Sequence, residues 1–325
     1  MSEPRKLTAR ECVNALLAIE KPLVVSHQRP DGDAVGSSVA LVRLLRALGR
    51  DAHFICQDPI PKRLAFLVKD EWGDSTEGLT PVAIDVASES QLGALKERIS
   101  PVALVIDHHA VNTPFADHYT IPEASSAAEA LMDVIEVLEE DGLASLSADI
   151  ALPLYAAISS DTGCFCYSNA TARTHMRTAR LLELGIDASD VNHRLFNTKS
   201  PKRLLADGFI AGNLMTAGDG RIAYAMLSLE KAKELSLTQE DFECAIDVIR
   251  SLEGAEVAVF IRELSCGEYK ASLRSTGKNV AEIAAKFGGG GHIRAAGCTV
   301  KAESIDSARD AIITLCEDIF EEGEI

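Results

Sequence analysis

Pro22-Leu-Val-Val-Ser26, running directly into His27-Gln-Arg-Pro-Asp31-Gly-Asp33-Ala-Val-Gly36, is the stretch that decides the fold. A short, nearly continuous apolar run is what a strand covered on both faces of a parallel sheet requires. Helical spacing resumes from Val35 to Leu48 and stops at Gly49, so the residues between form a strand-to-helix turn. Open α/β sheets bind ligands at that edge. Working outward, Thr8-Ala-Arg-Glu11 reads as a capping box ahead of Val13, Leu16 and Leu17 and predicts a first helix. Further apolar strands are expected at 51–56, 82–85 and 102–107, with a helix over 90–98 between the last two. Strand alternating with helix predicts a doubly wound α/β domain with a mostly parallel sheet.

Spacing is helical again over 124–140 and 148–158, followed by a polar segment containing Asp161-Thr-Gly163. Helices are expected over 171–184 and 187–212, broken only at Ser200-Pro201, where a new helix can start. The latter reads as an interdomain connection. Beyond the turn Gly218-Asp-Gly220, strands at 221–227, 255–262 and 269–274 with helices between and after them predict a second, smaller α/β domain. The expected division is 1–190, a helical linker over 191–215, and 216–325, since 325 residues exceed one ordinary core.

Composition narrows the function classes. The longest apolar runs, 151–158 and 101–106, are far too short to span a bilayer, and 12–19 lacks the pattern of a signal peptide, so a cytoplasmic protein is expected. Cysteines at 12, 56, 164, 166, 244, 266, 298 and 316 include no C-x-x-C pair and read as reduced structural residues, Cys164 and Cys166 included. A net charge of -17 argues against a protein that coats long nucleic acid, because neutralising many phosphates takes a broad basic surface. Local basic clusters at Arg173, His175, Arg177 and Arg180, at Lys199, Lys202 and Arg203, and at Arg274, Lys278, Lys286 and Arg294 read mostly as solvated helix faces.

The chemistry gathers where the strands end. His27, Asp31 and Asp33 follow the first strand, Asp85 closes Pro81-Val-Ala-Ile-Asp85, and Asp107-His108-His109 closes the next. A polar loop would use Asp31 in an Asx-turn and Asp33 as a helix cap. Parallel strands, however, deliver their ends to one place, and carboxylates converging there repel unless cations neutralise them. Asp161 is a further ligand or a local turn residue. Carboxylate with some imidazole and no thiolate favours Mn²⁺ or Mg²⁺ over structural zinc. Two ions sharing a bridging carboxylate would generate a hydroxide nucleophile for a phosphoryl group.

These motifs resemble the DHH phosphoesterases, in the order His27 with Asp31-Gly-Asp33, Asp85, Asp107-His108-His109, Asp161. The resemblance implies two divalent ions, Mn²⁺ first, with Mg²⁺ or Co²⁺ as alternatives. His27 and Asp31 would hold one, Asp33, His108 and Asp161 the other, with Asp85 bridging. His109 would face the substrate phosphate, and Asp107 would orient the His108 ring. Gly288-Gly289-Gly290-Gly291-His292 followed by Ala295-Ala-Gly297 resembles the DHH-associated C-terminal domain, with Arg274-Ser275 at its phosphate- or sugar-binding position. The resemblance further implies a nanoRNase or 3'-phosphoadenosine 5'-phosphate (pAp) phosphatase acting on short oligonucleotides or small nucleotides, and a homodimer. The alternatives are a soluble cyclic di-AMP or pApA phosphodiesterase, a pyrophosphatase or polyphosphatase, and a non-catalytic nucleotide sensor. With substrate gripped by both domains, efficiency is expected to fall as RNA grows beyond a few nucleotides.

Overall fold

The structure, a computed structural model, describes residues 3–242 and 245–321. The chain forms two compact units that divide between Thr198 and Lys199. In the first, β1 (Pro22–Val25), β2 (His53–Ile55), β3 (Thr80–Ile84), β4 (Leu104–Asp107) and β5 (Asp117–Thr120) form a parallel sheet in the order β2-β1-β3-β4-β5. Side chains alternate across a strand, so Val24, Val82, Ile84, Leu104 and Ile106 bury into one core, and Leu23, Val25, Ala83 and Val105 into another. Both faces are covered, which is why β1, β3 and β4 carry almost no polar residue.

The first core is closed by α1 (Ala9–Ala18), α2 (Gly32–Ala47), α3 (Ala127–Glu140) and α4 (Ala148–Asp161). Thr8 and Glu11 close the expected capping box of α1. The second core is closed differently from expectation: residues 89–97 are 3-10 turns and not a regular helix, interrupted where Gly93 takes φ 60° and ψ -139°. Strand β5 went unread because Asp117-His-Tyr-Thr120 has no continuous apolar run. Helices α5 (Ala172–Leu182) and α6 (Ala188–Asn192) complete the unit. His175 is exposed, but the arginines of α5 are not a solvated face: Arg173 pairs with Glu129 and Asp133, Arg177 with Asp133 and Glu136, and Arg180 with Glu136 and Glu139 of α3.

The second unit holds α7 (Pro201–Gly212), β6 (Met215–Ala217), β7 (Ile222–Leu227), α8 (Leu229–Glu234), α9 (Ala245–Arg250), β8 (Val257–Ser265), β9 (Glu268–Ser275), α10 (Val280–Lys286), β10 (Gly290–His292), β11 (Ala295–Lys301) and α11 (Ile305–Glu321). Its sheet runs β10-β11-β9-β8-β7-β6, with β7 and β8 parallel and the other neighbours antiparallel. One face buries Val257, Val259, Ile261, Ala271 and Leu273 with residues of α10 and α11; on the other, Ala223, Ala258 and Phe260 pack with residues of α7 and α9. Cys244 lies outside the described residues; the other cysteines are free thiols. Among the described residues, no helix is long and apolar enough to cross a membrane.

Candidate metal centre and phosphate site

The C-terminal ends of β1, β3 and β4 bring three sets of side chains together: His27, Asp31 and Asp85; Asp33, His108 and Asp161; and Asp85, His108 and His109. Within each set the donor atoms lie within 4.8 Å of one another. His27 Nε2 stands 3.8 Å from Asp31 and 3.4 Å from Asp85 Oδ2. His108 Nε2 stands 3.8 Å from Asp33, 3.7 Å from Asp85 Oδ1 and 3.6 Å from Asp161. Asp85 thus faces both imidazoles, one with each oxygen. Its backbone takes φ 60°, a left-handed conformation that Asp tolerates better than most residues and that turns the chain at the strand end.

Local structure fixes each ligand. Asp31 caps α2, its Oδ1 accepting from Asp33 N–H at 3.1 Å and Ala34 N–H at 3.0 Å. Asp33 caps a different helix: Ala127 and Ala128 N–H, in the first turn of α3, donate to it at 2.6 and 3.2 Å, with the helix dipole favouring its charge. His27 Nδ1–H donates to Gln28 O at 2.8 Å, and His108 Nδ1–H to Ala124 O at 3.3 Å. Each imidazole therefore presents its other nitrogen to the carboxylates, the arrangement of a histidine metal ligand. Asp161 ends α4, and Asn169 Nδ2 bridges the carbonyls of Asp161 and Ser125 at 3.1 and 3.0 Å.

His109 Nδ1 lies 2.8 Å from Asp107 Oδ1, so Asp107 orients His109 and not His108, as had been expected. Side chains alternate along an extended chain, which puts Asp107 and His109 on one side and His108 on the other.

Electrostatics marks the cluster as short of positive charge. Burial and then the charges of Asp85, Asp161 and Asp31 push the Asp33 carboxyl well above the ordinary range. Burial, with the charges of Asp31 and Asp85, raises Asp161 to about 7 against the attraction of His108 and His109. Against burial, hydrogen bonding to Asp31 and Asp85 raises His27 to about 11, and the bond to Asp107 raises His109 to about 9. The buried oxygens Asp85 Oδ1 and Asp107 Oδ2 accept no hydrogen bond. Carboxylate-rich donors, exposed imidazole lone pairs and an unsatisfied buried carboxylate oxygen together fit divalent cations.

The support around these ligands escaped the sequence reading. Segment 124–128 touches three of them, through Ala124 O to His108, Ala127 and Ala128 N–H to Asp33, and the Asn169 bridge to Asp161. Fully buried Glu129 pins that segment, accepting from Ser125 N–H and Oγ at 3.0 and 2.6 Å and from Thr174 Oγ1 at 2.9 Å, with Arg173 Nε at 3.1 Å. The readable signal was Ser126-Ala-Ala-Glu129, a capping-box spacing.

In the C-terminal unit, β-pairing sets Ala295 beside Arg274 and His292 beside Ala295. Ser275 N–H donates to Arg294 O at 3.0 Å, and its hydroxyl to Lys278 O. Gly288 takes φ 70° after α10, while a Cβ on Gly289 or Gly291 would collide with β11. Gly290 has nothing within 4 Å of such a Cβ, so its open side leaves room for a ligand to reach the backbone. Half of the glycine run, Gly290 and Gly291, belongs to the edge strand β10.

A parallel sheet whose edge gathers Asp and His side chains that could hold a metal ion, with a second unit carrying Arg, His and glycine, fits a two-domain hydrolase. Residues 21–158 match the DHH family N-terminal domain, and 213–318 the DHHA1 domain. The bifunctional oligoribonuclease and PAP phosphatase NrnA of Thermus thermophilus is 35% identical over 321 residues, which cover 96% of this chain and 94% of that protein. The crystal structure of an exopolyphosphatase-related protein from Bacteroides fragilis superposes with a TM-score of 0.86 at 24% identity, covering 96% of this chain and 97% of that one. RecJ of Thermus thermophilus in complex with Mn²⁺ gives 0.56 at 17% identity, covering 95% of this chain and 54% of that one. The chain belongs to the DHH phosphoesterase family, in its NrnA-like branch, and is a hydrolase.

Proposed function

We propose that this chain hydrolyses short oligoribonucleotides, pAp, or both, with two divalent cations, Mn²⁺ first. His27 and Asp31 would hold one cation, Asp33, His108 and Asp161 the other, and Asp85 would serve both. The observation that carries this reading is Asp85 itself, one oxygen 3.4 Å from His27 and the other 3.7 Å from His108. Bound there, the cations supply Lewis-acid activation of water and offset charge on a phosphoryl group. The chain's own residues do the rest. Asp107 holds the His109 ring so that it meets the substrate phosphate. Arg274, whose fork suits a phosphate, grips a second phosphate together with His292, Ser275 and the backbone of residues 288–291. The NrnA relative, matched along nearly its full length, supports this substrate class. The Mn²⁺ complex of RecJ supports the metal.

The test is a substrate panel with Mn²⁺: pAp, pApA, cyclic di-AMP, RNA of increasing length, and pyrophosphate. Highest kcat/KM on pAp or two- to four-residue RNA is expected. Cleavage of pyrophosphate with no nucleotide turned over would overturn the reading, and preference for cyclic di-AMP would change the substrate while keeping the chemistry.

A further inference from the structure

Beyond Arg274, the sheet face opposite α10 and α11 carries another cation on β9, one strand over from Ala258 and Phe260. Lys270 lies on β9 four residues before Arg274, so both side chains leave the strand on the same face. The intervening odd-numbered residues, Ala271 and Leu273, are buried in the core on the other face. Across the strands, Thr299 stands beside Lys270, Gly297 beside Ser272 and Ala295 beside Arg274, while Gly290 stands beside Gly297 and His292 beside Ala295. The Lys270 side chain folds back along the sheet toward Arg274: its Nζ lies 3.6 Å from where a Cβ on Gly297 would sit. The ammonium therefore stands over the row Gly290, Gly297 and Ser272, next to the row His292, Ala295 and Arg274. Rows on one face repeat every second residue, about 7 Å apart. A lysine contributes a compact charge with rotatable donors, suited to a phosphate approaching from any direction. On β8, Arg262 stands beside Lys270, its guanidinium 5.4 Å from the Phe242 ring centroid, and adds positive charge behind it.

We propose that Lys270 binds a further phosphate, one step along the chain from the phosphate held by Arg274 and His292, and so favours substrates that carry it. This rests on the function proposed above. Two cationic rows about 7 Å apart fit two neighbouring phosphates rather than one. Lys270 is half-buried and leaves β9 on the face opposite Ala271 and Leu273, so its replacement leaves the packing of those two residues in place.

The experiment compares full-length wild type, Lys270→Gln, Lys270→Arg and Lys301→Gln on pAp, which has two phosphates, and on pApApA, which has three. Lys301 is exposed at the far end of the same face and serves as the charge control. Lys270→Gln should lower the ratio of kcat/KM for pApApA to that for pAp about five- to tenfold, the scale of one charge-assisted contact. It should also flatten the salt dependence for pApApA by about 0.7 in log-log slope, the signature of one lost phosphate contact on a single strand. Lys270→Arg should restore most of both. An unchanged ratio and slope, or the same change in Lys301→Gln, would overturn the assignment. Calorimetric binding of pApApA and pAp to the chelated protein repeats the comparison without turnover. A wild type that cleaves neither nucleotide would therefore sink the functional reading, while equal binding by wild type and Lys270→Gln would sink Lys270.

Discussion

Gly36→Ala couples the packing of the first unit to its metal ligands. Gly36 lies inside α2, and α2 crosses α4 there: a Cβ would meet Pro153 O at 2.5 Å and Ala157 Cβ at 2.9 Å. Normal contact begins near 3.5 Å, so the helices must separate by roughly 1 Å. In an open helix the same change stabilises by about 1 kcal/mol. Here overpacking costs about 1–3 kcal/mol, giving a net loss of about 0–2 kcal/mol, or a few degrees in Tm. The larger effect falls on activity. Helix α2 carries Asp33 and α4 carries Asp161, so spreading the helices pulls apart two side chains proposed to hold one ion, and a 1 Å misplacement can cost about a hundredfold in rate. Gly208→Ala is the control: it lies inside α7, exposed, with nothing within 4 Å of its Cβ, and should stabilise by about 1 kcal/mol without changing kcat. Thermal unfolding and kcat/KM on pAp read both variants. If Gly36→Ala stabilised as Gly208→Ala does and kept full activity, the close helix crossing would not govern the site.

Three further outcomes are expected. Asp85→Ala should abolish turnover more completely than His109→Ala, because it removes a ligand facing both ion positions; comparable residual rates would refute the bridging role. Glu129→Gln removes the charge that Arg173 meets and an acceptor that Ser125 and Thr174 use; Mn²⁺ affinity measured calorimetrically should drop about ten- to a hundredfold, and wild-type affinity would show that segment 124–128 does not depend on Glu129. In chelated protein the raised Asp161 gives stability that is full below the ordinary carboxylate pKa and lost as pH rises through about 7, and the raised His109 and His27 lose theirs as pH rises through about 9 and then about 11. Tm should therefore fall with rising pH above about 4, and Mn²⁺ should remove the first part of that fall; a Tm that climbs between pH 4 and 7 without metal would contradict the proposed charge balance.

The strand ends were legible because a strand buried on both faces has nowhere to put a polar residue except its end. That is why Asp85 and Asp107 stand out after four apolar residues each. Less legible was whatever depends on contacts between distant segments. Asp33 stands in the sequence as a candidate ligand or a cap of its own helix, and nothing there shows that its carboxylate accepts from the first turn of α3, ninety-four residues on. Residues 89–97 have helical spacing, but Gly93 adopts a left-handed φ and breaks the turns apart. The arginines of α5 looked solvated because their partners lie on α3. Short, polar or glycine-rich strands such as β5 and β10 have no periodicity to read; pairing with neighbours makes them strands.

The most direct measurement is the number of Mn²⁺ ions bound per chain, counted by equilibrium dialysis in wild type and Asp85→Ala. Wild type should bind two, and the variant should bind both more weakly. No specific ion in wild type, or two ions held equally well without Asp85, would contradict the two-ion centre bridged by Asp85.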